Sequence, residues 1–511
     1  MRLILLILLI ALVTAQNKFS PKCKKDSDCD PMNHCNEEVG KCVHKDLMPL
    51  SGQEVAGTIL VFLMSALSNA GGIGGSSIMI AFLLLIFNFE THMVIPIVQV
   101  IIMSGSIIAV FLKFKSRHPA RDRPLIFYDI LMLEVAPLLL GSSIGVFLNI
   151  GFPTWLILAI LILVTLTLAI ITFHKGYVYY KKETKIKRVS TIMKVTHQDT
   201  VEIDTIEFKA ENKNDELEII EPDDELEKDQ DNFEHEEENS QNQLEYGKKR
   251  HASFVIVEEE TGRPIRDIHS ELQEIYKEEG KVYYPFHIFI ICAIYAWAIL
   301  AAFFRGDTNV KSIGGWELCS DQYWGFVGGF IVSMILIGLI LARHLNRQTH
   351  HKLELGYDYD AHDLRWHFKE SIMLMCFSFI AGFTSGLIGI SGGVIMGPVQ
   401  LAFGIRPEVS AATSSVIVVL TSSLNFILFL KAGMVTENYS LWLMAFSVIG
   451  SAAGILIVKK IVEKQKRPSI IVFCLGTVYI CAFLLILAYG IRKMYKEEEK
   501  GTAKYGFQPF C

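Results

Sequence analysis

Charge is scarce in this sequence. Asp, Glu, Lys and Arg supply only 20% of its 511 residues, while 51% are hydrophobic and the mean hydropathy is +0.36. The scarcity is uneven, because long apolar runs alternate with short charged connections. A run of about 18 apolar residues is enough to cross a bilayer as a helix. Several such runs argue against a soluble enzyme or a fibrous protein and point to a multi-span membrane protein.

Other absences narrow the function. No basic patch with interleaved aromatics offers a nucleic-acid surface. No Walker A sequence or strand-placed dinucleotide fingerprint occurs, which speaks against an ATP-driven pump, and no general base stands beside a nucleophile in the apolar runs. The sequence therefore predicts neither an enzyme nor a cofactor. Metal ligation is not expected either: His350, His351, Asp358, Asp360, His362, Asp363 and His367 follow no ligand spacing and read as a polar connector.

What is present begins with a leader. Arg2 precedes eleven apolar residues, 3–13, and Thr14-Ala15-Gln16 follows. This pattern predicts a signal peptide over 1–15, and eleven residues fall short of a span. Cys23, Cys29, Cys35 and Cys42 then lie in a polar, turn-rich stretch, so residues 16–52 read as an extracytoplasmic two-disulfide knot of undetermined pairing. Without a Cys-x-x-Cys pair, zinc is a poor alternative. Cys292, Cys376, Cys474 and Cys481 fall in apolar runs and read as small buried hydrophobes.

Twelve apolar runs follow: 55–70, 74–88, 92–112, 125–149 and 154–173, then 286–304, 324–342, 369–388, 393–404, 409–430, 440–458 and 469–491. Glycines split the first pair and the pair 369–388 with 393–404. Lys and Arg collect at 113–123, 175–188, 343–352 and 459–467, connections that the positive-inside rule assigns to the cytoplasm. If each Gly-split pair makes no net crossing, the parity works. The knot, the loops near Pro153, 305–323 and 431–439, and the C-terminal tail then lie outside. Lys431, at an outer end, reads as a snorkelling anchor.

The resulting domains are 53–175 (first transmembrane half), 176–284 (cytoplasmic insert), 285–491 (second half) and 492–511 (tail). Within the insert, residues 211–238 hold fifteen acidic residues and two lysines, so this part reads as disordered. It serves as a linker between halves or as a docking site for a cytoplasmic protein partner.

The two glycine clusters repeat. At an offset of 317, Gly72, Ile73, Gly75, Ile78, Met79 and Leu84 meet the same residues in the stretch Gly389-Ile390-Ser391-Gly392-Gly393-Val394-Ile395-Met396 and at Leu401. The first copy is entered from outside and the second from the cytoplasm, the mark of an inverted-repeat transporter. Close helix packing is the competing reading of a single cluster. Glycine breaks let a helix unwind around a ligand, and a short helix starting there presents free N–H groups to an anion. Ser76, Ser77 and Ser391 add hydroxyl donors. The expected fold is all-α: a bundle of two inverted halves, each with a Gly-broken hairpin.

Ala381-Gly382 through Pro398, with Arg406-Pro407-Glu408 and Thr413-Ser414 behind it, resembles the sulfite exporter TauE/SafE family. Residues 140–146 and Gly151-Phe152-Pro153 resemble its eukaryotic, plant-like branch. The resemblance implies a permease for sulfite or organosulfonates such as sulfoacetate. Carried onto this chain, the binding residues are Gly72, Gly74, Gly75 and Ser76, then Ser391, Gly392, Gly393, Pro398, Thr413 and Ser414. The first copy departs from the pattern: Ala81 stands where Pro398 does, and Gln99 takes the place of a hydroxyl. Gln99 is thus a candidate for reading a different substrate. Asp129, Glu134 and Glu370 are candidates for proton coupling.

The partners expected are the lipid bilayer and a small anion. A signal peptide leads into the secretory pathway and leaves the plasma membrane and endomembrane vesicles both open. The rival reading is a non-transporting scaffold or receptor that uses the knot and the acidic insert.

Overall fold

A computed structural model of the chain describes residues 33–36, 41–70, 74–118, 121–199, 265–306, 312–359, 363–465, 469–499 and 506–507. The expected signal peptide, Cys23, Cys29, Gly72 and the acidic block 211–238 lie outside these residues. Two compact units are distinguished: Met1–Tyr180, Tyr276–His350 and Tyr359–Cys511 in one, Lys181–Ile275 with His351–Asp358 in the other.

The first unit opens with an antiparallel hairpin, β1 (Asn33–Asn36) and β2 (Lys41–His44), whose register sets Cys35 opposite Cys42. It adds a small strand pair to a fold that is otherwise helical. Each of the twelve apolar runs is a helix. The first half holds α1 (Gly52–Ala70), α2 (Ser76–Leu85), α3 (Thr91–Lys113), α4 (Tyr128–Gly151) and α5 (Thr154–Asp199). After α6 (Ile265–Glu279) come α7 (Pro285–Arg305), α8 (Asp321–Glu354), α9 (Phe368–Ile388), α10 (Gly392–Ala402), α11 (Pro407–Lys431), α12 (Glu437–Gln465) and α13 (Ser469–Glu499). Among the described residues eight helices are long and apolar enough to span a membrane, while α2 and α10 are too short. The protein is an integral membrane protein.

In the second unit, α5 continues past residue 175 to Asp199, and α6 is amphipathic, with Ile268 and Leu272 buried. His351 Nε2 lies 3.0 Å from Glu271 Oε1.

Small residues decide how the membrane helices pair. On α4, Gly141 and Gly145 press on the backbone at Phe379 and Phe383 of α9; on α9, Gly382 and Gly386 press on that at Leu138 and Ser142. Four-residue spacing of glycines on both partners lets two helices approach until backbones touch. Gly450 and Gly454 of α12 do the same against Phe62 and Ala66 of α1. A side chain at Gly382 would run into the Leu138 carbonyl, so Gly382→Val should cost about 1–3 kcal/mol by overpacking. Thermal melts of the detergent-solubilised protein check this; an unchanged midpoint would contradict the packing.

Contacts at the helix ends group the connections in two sets. Arg117 donates to the Gly280 carbonyl at 2.7 Å, and Arg123 pairs with Asp363. At the other end, Lys45 meets Glu54 at 2.8 Å, Tyr439 donates to the same carboxylate, and Phe507 of the tail packs edge-on against Phe152. The first set is the one that the charge pattern assigns to the cytoplasm.

Glu54, outside the eight spans, is fully buried. Burial opposes its ionisation, but hydrogen bonds from Lys45, Tyr439 and Ser51 outweigh that and hold its pKa down at about 2, below the ordinary 4.5. A lowered carboxyl pKa stabilises the fold fully above the ordinary value, and the contribution fades as pH falls towards the folded value. Glu54→Gln should therefore melt below the wild type at neutral pH, with the gap closing between pH 4.5 and about 2. A gap independent of pH would show that the carboxylate is not what holds α1 to α12.

Two expectations are corrected. Cys292, Cys376 and Cys481 are exposed, because they stand on the outward faces of α7, α9 and α13, where bilayer takes the place of protein. Lys431 does not snorkel: only 5% exposed, it donates to the Ala302 carbonyl and lies over the Phe303 ring.

Candidate functional site

The short helices α2 and α10 begin where their predecessors break. Gly74 and Gly75 take left-handed φ values of 79° and 61°, and Gly389 takes 78°, a region that glycine enters without steric cost. Gly389 follows the end of α9, and Gly74 and Gly75 lead the chain into α2. Neither new helix has a side-chain cap: Gly75 at the start of α2 and Ser391 at the start of α10 make no capping hydrogen bond.

The two breaks meet. Ser391 N–H donates to Ser76 Oγ at 2.8 Å across 315 residues of sequence. A Cβ on Gly74 would stand 3.4 Å from Ser391 Oγ. Gly392 faces Thr421 and Leu138, and Gly393 lies against Val418 and Ser414, so α11 forms one wall. Gln99 on α3 donates to the Ser385 carbonyl at 3.2 Å, and Asn425 on α11 donates to Ser385 Oγ at 2.9 Å. Asn149 on α4 donates to the Leu387 carbonyl at 2.6 Å. Three amides thus hold the broken end of α9.

Unpartnered polar atoms gather in these same elements. Ser77 Oγ, Ser391 Oγ, Ser422 Oγ, Gln99 Oε1 and Asn425 Oδ1 are buried and find no hydrogen-bond partner. A buried hydroxyl left without a partner costs roughly 1–3 kcal/mol. The three hydroxyls can donate, whereas the amide oxygens of Gln99 and Asn425 only accept; with the two uncapped helix starts, the hydroxyls make a cradle that supplies donors without fixed charge. No Lys or Arg occurs from 53 to 112 or from 370 to 405. Such a cradle suits an oxyanion, which accepts from N–H and O–H groups and is favoured by helix dipoles.

Of the sequence candidates, Gly74, Gly75, Ser76, Ser391, Gly392 and Gly393 converge on the breaks, with Gln99 on the adjoining helix. Thr413 stands apart, since its Oγ1 accepts from Phe127 N–H at 3.1 Å and anchors the start of α4. Pro398 lies inside α10, beyond its first turn. Ser414 faces Gly393 and also points to Gln400. Ser143 and Ser391 each stand in a Gly-x-Ser-x-Gly stretch, but neither follows a strand and no histidine bonds to either, so neither is a nucleophile elbow.

The three carboxylate candidates separate clearly. Asp129 lies 2.9 Å from His287 Nε2 and is partly exposed. Glu370, in the first turn of α9, has Oε2 buried without a partner. Glu134 is fully buried in α4, and Gln400 Nε2 donates to both its oxygens at 3.3 and 3.2 Å. Gln400 Oε1 in turn accepts from Ser410 at 3.1 Å and Ser414 at 3.5 Å. This chain links α4, α10 and α11. Sequence reasoning missed Gln400, Ser410, Asn425 and Asn149: single polar residues in apolar helices carry no spacing signal.

Comparison with known proteins agrees with the motifs. The family model "Sulfite exporter TauE/SafE" matches residues 373–506. "Sulfite exporter TauE/SafE family protein 3" of Arabidopsis thaliana is 25% identical over 464 residues, 90% of this chain and 83% of that protein. Family protein 1 of the same plant is 24% identical over 511 residues, 99% of this chain and 98% of its own length. "Probable membrane transporter protein YunE" of Bacillus subtilis (strain 168) is 31% identical over 168 residues, 32% of this chain and 61% of that protein. No solved structure matches significantly. The resemblance carried by the glycine motifs thus extends over most of the chain, which is a relative of the sulfite exporter TauE/SafE proteins.

Proposed function

We propose that the protein is a permease or exporter that carries a small oxyanion, sulfite or an organosulfonate such as sulfoacetate, between the two helix breaks. One observation carries the reading: two buried, uncapped helix starts meet at Ser76 and Ser391, with the hydroxyls of Ser77 and Ser391 unpartnered beside them. The names of the relatives support a membrane transporter rather than an enzyme.

In this reading the anion takes the place of the missing partners and bridges α2 to α10. The exchange of partners between halves supports an inverted repeat. The helix before each glycine break, α1 or α9, packs on the third helix after the other break, α12 or α4, while α3 and α11, each the second helix after its break, pack together. Alternating access then consists of one half rocking against the other about the site. Glu134 is the carboxylate we assign to proton coupling, since among the described residues its polar contact leads through Gln400 to α10. The four N-terminal cysteines form two disulfides on the outer side.

Reconstituted protein should carry sulfite or sulfoacetate into liposomes, with Gly392→Leu as the blank. A leucine there meets Thr421 and Leu138 rather than backbone, so it blocks the cradle while leaving the helix in place. Flux that persists in this variant would overturn the site. Absence of flux for every anion in the wild type, with a stoichiometric partner captured on residues 185–280, would favour a scaffold instead.

A further inference from the structure

A second cavity lies away from the helix breaks. It measures about 270 Å3 and is enclosed by α4, α7 and α8, with Leu428 of α11 also in its wall. Leu140, Phe147, Ala302, Trp324 and Phe330 give it an almost wholly apolar lining, and Arg305, the last residue of α7, borders it. The hydroxyl of Ser143 in the wall is already committed to the Leu139 carbonyl at 2.9 Å.

Arg305 is the anomaly. Its Nε is buried without a partner, and among the described residues its guanidinium makes no hydrogen bond or ion pair. Its contact is the Phe147 ring, 5.5 Å from Cζ. Arg305 is half-buried, and a guanidinium carries five donors and stays charged, so its unpartnered Nε leaves hydrogen-bonding capacity for an anion. A guanidinium at the rim of an apolar chamber suits an anion with an apolar tail.

The source of that anion follows from the surroundings. Leu300 of α7 and Val332 and Leu336 of α8 are about half exposed, so the faces flanking the cavity look into the bilayer. A ligand that enters from there is a membrane lipid. We propose that this cavity holds one acyl chain of an anionic phospholipid, with the phosphodiester on the guanidinium of Arg305. A planar guanidinium matches the oxygens of a phosphodiester bidentately. The site is separate from the anion cradle and does not depend on the transport reading.

Native mass spectrometry of the full chain with added phosphatidylglycerol tests the assignment. The wild type should retain one phosphatidylglycerol, with phosphatidylcholine bound more weakly. Arg305→Gln should weaken retention by at least about tenfold, as expected for the loss of charge-assisted hydrogen bonds. Ala302→Phe, which fills the chamber, should do the same while leaving Arg305 in place. Millimolar inorganic phosphate or sulfoacetate should not displace the lipid. Equal retention by the wild type and Arg305→Gln would overturn the proposal even if the cavity-filling variant failed to fold. Absence of a retained lipid in the wild type would overturn it too, and displacement by phosphate or sulfoacetate would mark a free-anion site instead.

Discussion

Ser391→Ala should lower anion affinity by roughly 10- to 150-fold, the equivalent of about 1.5–3 kcal/mol for a hydrogen bond to a charged group. The argument starts from the unpartnered Ser391 Oγ and the uncapped start of α10, beside the bond from Ser391 N–H to Ser76. Alanine keeps that backbone bond, so the joint between the breaks survives and only the hydroxyl is lost. Removing a hydroxyl that has no partner in the empty protein should leave the melting temperature unchanged or slightly raised. Ser77→Ala should behave alike, and the double variant should lose more than either. Gly75→Leu is a poorer probe, because a side chain there collides with Ser68 on α1 and confounds binding with folding. A wild-type Kd for sulfite or sulfoacetate in Ser391→Ala would remove the cradle from the mechanism.

The second large effect concerns Glu134. A one-unit pH gradient is worth about 1.4 kcal/mol per coupled proton, or about tenfold in accumulation. Wild-type protein should build such a ratio when a gradient is imposed, whereas Glu134→Gln should exchange anions without accumulating them. The geometry supports this: the Glu134 carboxylate is fully buried and bound by Gln400, which sits on the helix whose start forms half of the cradle. Charged and titratable groups on the elements packed against α4 are Lys369, Glu370 and Cys376 on α9, Glu408 and Lys431 on α11, and His287, Cys292, Tyr295 and Arg305 on α7; α10 has none. No basic group pairs with Glu134 among the described residues, so a negative charge there would be uncompensated. Gln400→Leu should also uncouple transport, because it leaves the carboxyl without donors. Accumulation that survives in Glu134→Gln would transfer coupling to another group or to another ion.

Much of the architecture is legible in the sequence because the bilayer imposes a coarse code. Apolar runs of sufficient length must be helices, and each of the twelve is one. The glycine breaks are legible for a related reason: Gly74, Gly75 and Gly389 hold backbone conformations that other residues resist, and they lie in two clusters that align at an offset of 317. What the sequence leaves hidden is partnership across the halves. Nothing local announces that Ser76 meets Ser391, that Gln400 reaches Glu134, or that Asn149 holds the end of α9. These contacts join residues 238 to 315 positions apart.

Lys431 shows the same limit from another side. At the end of an apolar run, a lysine in solvent and one bonded to a neighbouring helix look alike; only the position of Ala302 distinguishes them. The cysteines on α7, α9 and α13 mislead for the opposite reason. In a membrane protein an apolar surrounding in sequence does not tell protein from lipid, so Cys292, Cys376 and Cys481 face outward.

The central claim is that an oxyanion binds between the two helix breaks and is carried across. Transient charge movement in proteoliposomes adsorbed on a solid-supported membrane tests it most directly. On a jump to sulfite or sulfoacetate, wild-type protein should give a saturable current that Ser391→Ala shifts to at least about tenfold higher concentration. Equal currents with identical saturation in both proteins, or none in well-folded wild-type protein with any small oxyanion, would contradict the account.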